Sequence, residues 1–237
     1  MTGAILHLLA EVAVTPATQA VTRAGFPTSG ASDVVHTGVV LALLAILPSI
    51  IIAMTGFTRI VIVLSMIRHA FGMPETPPNT VLVSLALFLT MFSMGPAASE
   101  INRGALQPYL DGRVELSTAL DRGEAPLRRF MLAQTRDSDL AAIYRIAQAP
   151  LPARPEQVEL TKLVPAFMIN ELRVAFTIGF VILLPFLLID LVVSAILLAL
   201  GMMMVPPTTI SLPIKLLMFV LIDGWSLVIT GVMGSFR

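Results

Sequence analysis

The chain has 237 residues, of which 56% are hydrophobic and 13% charged, with no cysteine, a net charge of zero and a mean hydropathy of +0.89. A soluble domain carries less apolar residue and about twice the charge, so the composition points to an integral membrane protein. Zero net charge gives no electrostatic basis for nucleic-acid binding, and the absence of cysteine excludes disulfides and thiolate metal sites.

Residues 1–37 open with the apolar run Ala4-Ile5-Leu6-His7-Leu8-Leu9-Ala10 and continue with small and polar residues up to Phe26-Pro27-Thr28-Ser29-Gly30. No Lys or Arg precedes the run and Glu11 interrupts it. Two readings therefore stand, a weak signal sequence or a disordered tail.

Residues 38–98 read as a first apolar helical hairpin. The stretch 38–57 is uncharged and long enough to cross a bilayer, and Pro48 predicts a kink. The apolar pattern runs on through Phe57-Thr58-Arg59-Ile60-Val61-Ile62-Val63-Leu64 to Arg68-His69. Arg59 and Arg68 are not at the three-or-four spacing that shares a helix face. Either they flank a re-entrant apolar segment or they face polar partners in another subunit. A turn follows over 72–79, and 80–98 is a second membrane-length segment ending near Gly95-Pro96. Counted as a loop, 58–79 carries Arg59, Arg68 and His69 against Glu75 alone. That asymmetry puts it on the cytoplasmic side and the following charged region in the periplasm.

Residues 99–173 differ in kind, since twenty of the thirty charged side chains fall between Glu100 and Arg173. Amphipathic spacing at 127–132 and 139–146 predicts helices. A proline-rich break from Ala149 to Pro155 separates them from a last helix, which begins near Glu156 and leads into the next apolar segment. Pro165 and Pro185 argue against one straight rod there. The region reads as a compact helical domain outside the hydrocarbon, and with no strand signal the predicted fold class is all-α.

Residues 174–237 read as a second apolar hairpin, its segments 174–200 and 211–233 joined by the Met-rich loop 201–207, Gly201-Met202-Met203-Met204-Val205-Pro206-Pro207. Gly201 is a helix stop and Pro206-Pro207 cannot continue a helix. Three consecutive side chains cannot share one face of a helix with a 3.6-residue period, so Met202, Met203 and Met204 belong in a loop. Methionine is flexible and fills irregular gaps. The loop either packs within one subunit or against lipid, or forms a deformable collar around the axis of a symmetric oligomer.

Three ionisable residues, Asp190, Lys215 and Asp223, lie in or at the ends of these last segments. With the hairpin turned at Pro206, Asp190 and Asp223 both stand about 25 Å from the turn at 1.5 Å per residue. Two carboxylates at one level read as a buried polar layer, or as water-exposed or capping positions. Glu171 and Lys215 would differ in depth by about 39 Å in a straight hairpin. A pair between them would need a folded-back helix or a neighbouring subunit. His7, His36 and His69 are scattered, which gives no metal cluster. No HExxH, glycine-rich phosphate loop or GxSxG is present, so nothing argues for an enzyme.

Phe57-Thr58-Arg59-Ile60-Val61-Ile62-Val63-Leu64, Arg68-His69-Ala70-Phe71-Gly72, Pro77-Pro78-Asn79 and Leu85-Ala86-Leu87-Phe88-Leu89-Thr90-Met91-Phe92 resemble the FliP family of flagellar export-gate proteins. So do Phe130-Met131-Leu132 with Gln134-Thr135-Arg136, the run Ala199 to Pro207, and Leu212-Pro213-Ile214-Lys215 with Phe219-Val220-Leu221-Ile222-Asp223-Gly224-Trp225. The resemblance covers about residues 38–236 in one register and leaves 1–37 uncovered. His69 and Phe71 replace the Asn and Leu of the family's Arg-Asn-Ala-Leu-Gly run. The injectisome paralogue shares much of the pattern, and Phe57-Thr58-Arg59-Ile60, Asp223-Gly224-Trp225 and the N-terminal extension favour the flagellar branch.

The resemblance implies a non-enzymatic pore component without a cofactor, in the bacterial inner membrane at the flagellar basal body. It implies a pentamer with FliQ-like and FliR-like subunits, among other export-apparatus proteins, through which unfolded flagellar subunits pass. Such a gate sits largely above the membrane plane, so subunit packing replaces part of the lipid around the apolar segments. By the same resemblance Met202, Met203 and Met204 form a gasket, and Glu171 and Lys215 form a charged pair between subunits. A proton-coupled transporter working through Asp190 and Asp223 is the alternative, which no internal repeat supports.

Overall fold

A computed structural model describes residues 31–72 and 76–236, and those residues are mostly helical with no strand among them. Two compact units divide the chain, 1–49 and 50–237. The helix α1 (Ala31–Ala53) carries the boundary between them and starts ahead of the predicted residue 38. Pro48 lies inside it without ending it. Its apolar residues Val39, Leu41, Leu44 and Ile46 are exposed. The expected signal or tail falls, over 1–30, outside the described residues.

The second unit holds α2 (Phe57–Ala70), α3 (Asn79–Ser93), α4 (Gly95–Leu110), α5 (Leu116–Gln134), α6 (Asp137–Ile146), α7 (Leu160–Ala199), α8 (Thr208–Leu221) and α9 (Gly224–Met233). In α2 the buried residues are Arg59, Ile60, Val63, Leu64, Ile67 and Ala70, the stripe that a 3.6-residue period lays along one face. That stripe packs along α7 and meets α3 on its flank. Ile60, Val63, Leu64 and Ile67 share one core with Leu82 and Ala86 of α3, Ala175 and Phe186 of α7, Phe219 of α8, and Val228 and Val232 of α9. Phe71 joins it edge-on, 5.2 Å from Phe186 and 5.0 Å from Phe219 between ring centroids. A second core collects Met131 of α5, Tyr144 of α6, and Leu163 and Phe167 of α7. The amphipathic stretches 127–132 and 139–146 thus bury their apolar sides on the start of α7.

Gly179 of α7 packs against Met66 of α2, and a Cβ there would stand 2.2 Å from Met66 Sδ and 2.8 Å from its Cε. Gly179→Leu is expected to force the pair apart at a cost of about 1–3 kcal/mol, the usual range for overpacking. Thermal unfolding of the purified chain in detergent reads that loss, and a Met66→Ala partner change should recover part of it.

The predicted hairpins are interrupted where the sequence reads as continuous. The chain breaks at Met54–Gly56, at Met94, and at Ile222-Asp223, and Asp223 has a φ of 50°. Asp is among the few residues that tolerate this left-handed conformation. The α3–α4 and α8–α9 breaks each turn the chain by 66°. The predicted boundary at 173/174 lies in the interior of α7, which has 40 residues. Pro165 and Pro185 sit within it and the helix continues through both. At 1.5 Å per residue α7 is about 60 Å long, twice the roughly 30 Å of a hydrocarbon core. It is long and apolar enough to cross a membrane, and the two bent pairs pass the same test as broken spans.

Candidate functional site

Three features concentrate the polar and flexible chemistry of the second unit. The first is Arg59, buried at 1% exposure against Glu171 at 0%. Its Nε–H donates to Glu171 Oε2 at 2.9 Å. Nη1 donates to the Ser235 carbonyl and hydroxyl oxygens, each at 2.9 Å. Nη2 donates to Gln134 Oε1 at 3.2 Å and to Glu171 Oε1. The five N–H donors of a guanidinium are thereby all met. Phe236 lies beneath, its ring centroid 4.1 Å from Cζ. Asn170 Nδ2 donates to the Gln134 carbonyl and fixes that partner in turn. Desolvating two ions costs several kcal/mol each, and only full pairing with good geometry offsets it. The bidentate fork supplies that geometry.

The second feature is Lys215, whose Nζ donates to Asp190 Oδ2 at 2.6 Å and to the Ala70 carbonyl at 2.9 Å. Ala70 ends α2, where the last carbonyls have no intrahelical donor and a cation is favoured. The ammonium therefore joins α8 to α7 and caps α2. Nearby, Arg68 Nη1 donates to Asn79 Oδ1 at 2.5 Å and spans the turn between α2 and α3.

The third is the loop after α7. The Gly201 N–H donates to the Leu198 carbonyl and the Met202 N–H to that of Leu197, with Gly201 at φ 73°. This is a Schellman ending, which favours glycine at the left-handed position. The chain leaves the helix at once, so Met202, Met203 and Met204 are 40%, 80% and 96% exposed. Pro207 then leads into α8.

Within the single chain the predicted site residues are placed as follows. Glu171 and Lys215 are not brought together, because the Glu171 carboxylate is enclosed on Arg59 while Lys215 is held by Asp190. Arg59 does not await a polar group from another subunit; its partners are in its own chain. Arg59, Arg68 and His69 all lie within α2 rather than in a loop. Asp190 and Asp223 form no buried layer in the chain. Asp190 is half-buried on Lys215, and Asp223 is exposed in the α8–α9 break. Sequence reasoning meets Gln134 only inside a motif of the family resemblance and gives it no partner, and it misses Ser235 and Phe236, whose only signal is a place beside an apolar run. Among the described residues no three His, Asp or Glu side chains stand close enough to hold a metal ion.

The chain matches the FliP family model over residues 40–232. It is 50% identical over 202 residues to the flagellar biosynthetic protein FliP of Pectobacterium carotovorum subsp. carotovorum, covering 85% of this chain and 78% of that one. The protein of the same name from Bacillus subtilis strain 168 is 47% identical over 205 residues, covering 86% and 93%. That from Aquifex aeolicus is 42% identical over 207 residues, covering 86% and 87%.

Proposed function

The chain belongs to the FliP family, and from that premise we propose that it is a structural and gating pore subunit of the flagellar protein-export apparatus. Unfolded flagellar proteins pass through the pore, and the loop of Met202, Met203 and Met204 seals it. The observation that carries the reading is that loop. It is uncharged, sharply capped, held between two apolar helices, and it presents three flexible thioethers outward. In a ring of subunits the same loop recurs around the axis and adapts to side chains of differing size.

The exposed apolar faces support an assembly in or at the inner membrane. Phe88, Met91 and Phe92 of α3, and Phe176, Val181, Leu188 and Leu191 of α7, are exposed among the described residues. Faces of that extent on a folded protein are covered by lipid or by other subunits. In this reading copies of the chain form a pentamer with FliQ-like and FliR-like subunits in the flagellar basal body, and the charged region 99–173 faces the periplasm. The flagellar branch is favoured over the injectisome paralogue because the relatives carry the flagellar name. The transporter alternative loses ground because Asp190 is tied to Lys215.

Native mass spectrometry of the detergent-solubilised chain, coexpressed with candidate FliQ-like and FliR-like partners, tests the assembly. The expected species is a pentamer carrying both partners. A monomer or dimer free of them would remove the symmetry that the seal requires.

A further inference from the structure

Ser235 and Phe236 follow the last turn of α9 and make contacts out of proportion to their place. Their N–H groups donate to the Val232 and Met233 carbonyls, so the chain continues tightly from the helix. The Ser235 hydroxyl also donates to the Val232 carbonyl at 2.6 Å while accepting from Arg59. The Phe236 ring lies under the Arg59 guanidinium, stacks on Phe130 of α5 at 6.5 Å between centroids and 23° between planes, and walls a cavity of about 250 Å³ with Pro96, Pro126 and Arg129. Its edge fills the space beside Gly56, where a Cβ would stand 2.5 Å from the ring.

We propose that Ser235 and Phe236 form a strap that fastens the end of α5 and the start of α2 onto α7, with Arg59 as the point of attachment. Glu171 and Gln134 satisfy only the Nε and Nη2 donors of Arg59. The Nη1 donors depend on Ser235, and a buried donor left unmet is costly. Gly56 is the complementary half. It sits in the break before α2 with room for a ring and none for a side chain of its own, although its φ of −69° would accept alanine. The strap thus joins the break before α2, the charged region and the last helix at one residue. It lies within a single subunit and stands independently of the export reading.

Hydrogen exchange on the full chain purified in detergent tests it. Phe236→Ala is expected to speed exchange over 56–62 and 130–136 about tenfold, the effect of losing a desolvated cation–π contact on a local opening. Peptides over 212–222, around Lys215, should stay within roughly twofold, since distant regions open independently. Gly56→Ala should displace the ring and give the same pattern. In the double variant it should add nothing, because the ring it clashes with is gone. A Gly56→Ala effect as large in the Phe236→Ala background as in the parent chain would overturn the strap. So would exchange rising equally at 212–222, or no change in any peptide. Should Phe236→Ala fail to accumulate, Ser235→Ala removes only the hydroxyl and should give a smaller rise in the same two peptides; unchanged exchange in both Ser235→Ala and Gly56→Ala would refute the proposal.

Discussion

Glu171→Ala is expected to keep the chain from accumulating in folded form. The substitution leaves the Arg59 guanidinium buried with its counter-ion gone, since Gln134 and Ser235 supply only neutral acceptors. Removing one member of a buried pair costs about 3–5 kcal/mol, a large part of the roughly 5–15 kcal/mol that stabilises a folded domain. Arg59→Lys should fail nearly as badly, because one ammonium cannot reproduce a fork that reaches α5, α7 and Ser235 together. The paired change Arg59→Met with Glu171→Leu should recover part of the loss, as apolar replacements of buried ion pairs do. Protein level in the membrane fraction and unfolding in detergent measure all three. The exchange Glu171→Lys with Lys215→Glu separates this arrangement from a pair between subunits. It sets a new ammonium against Arg59 and a new carboxylate against Asp190, so it should fare worse than either single change. Restoration to the parental level by that exchange would show that 171 and 215 meet across a subunit boundary.

Depth along a hairpin depends on where the count begins. Counted from Pro206, Lys215 is nine residues and Asp190 sixteen residues from the turn, which separates them. The loop from Leu200 to Pro207 has no helical rise, however. Counted from the ends of α7 and α8, Asp190 lies nine residues before Ala199 and Lys215 seven after Thr208. The two are then level to within about 3 Å at 1.5 Å per residue, and they pair. The sequence holds that information once the origin of the count moves from the loop to the helix ends. Glu171 is a different case. Its partner is 112 residues away, and no local spacing joins a carboxylate at the start of one apolar segment to an arginine in another. The loop itself is legible because its signals are local: a glycine at the helix end and two prolines after it act through their own backbone. So is the all-α fold, since apolar runs, amphipathic spacing and the missing strand pattern agree. The bends at Met94 and Asp223 are not. Gly95-Pro96 looks like the end of a span, and Asp223-Gly224 sits in a run whose apolar character does not change across the turn.

Replacing Met202, Met203 and Met204 together with alanine is expected to make the assembled gate leak while leaving the subunit intact. The three side chains are exposed and outside any helix, so their loss should change stability by no more than about 0.5 kcal/mol, the range for surface positions free of special contacts. A defect after this change therefore cannot be assigned to unfolding, and unchanged protein levels would demonstrate that directly. A closed seal made of side chains needs volume, and alanine removes the whole thioether from each position. Leucine restores apolar volume but branches, giving up the unbranched flexibility that lets methionine conform to different neighbours. The triple leucine variant should accordingly stay tight at rest and export poorly, whereas the triple alanine variant should pass ions or small dyes at rest. Influx of a membrane-impermeant dye into cells that hold the gate without substrate distinguishes the two. A tight triple alanine variant would mean that these thioethers face lipid or a neighbouring surface, and the seal would then have to be sought elsewhere on the chain.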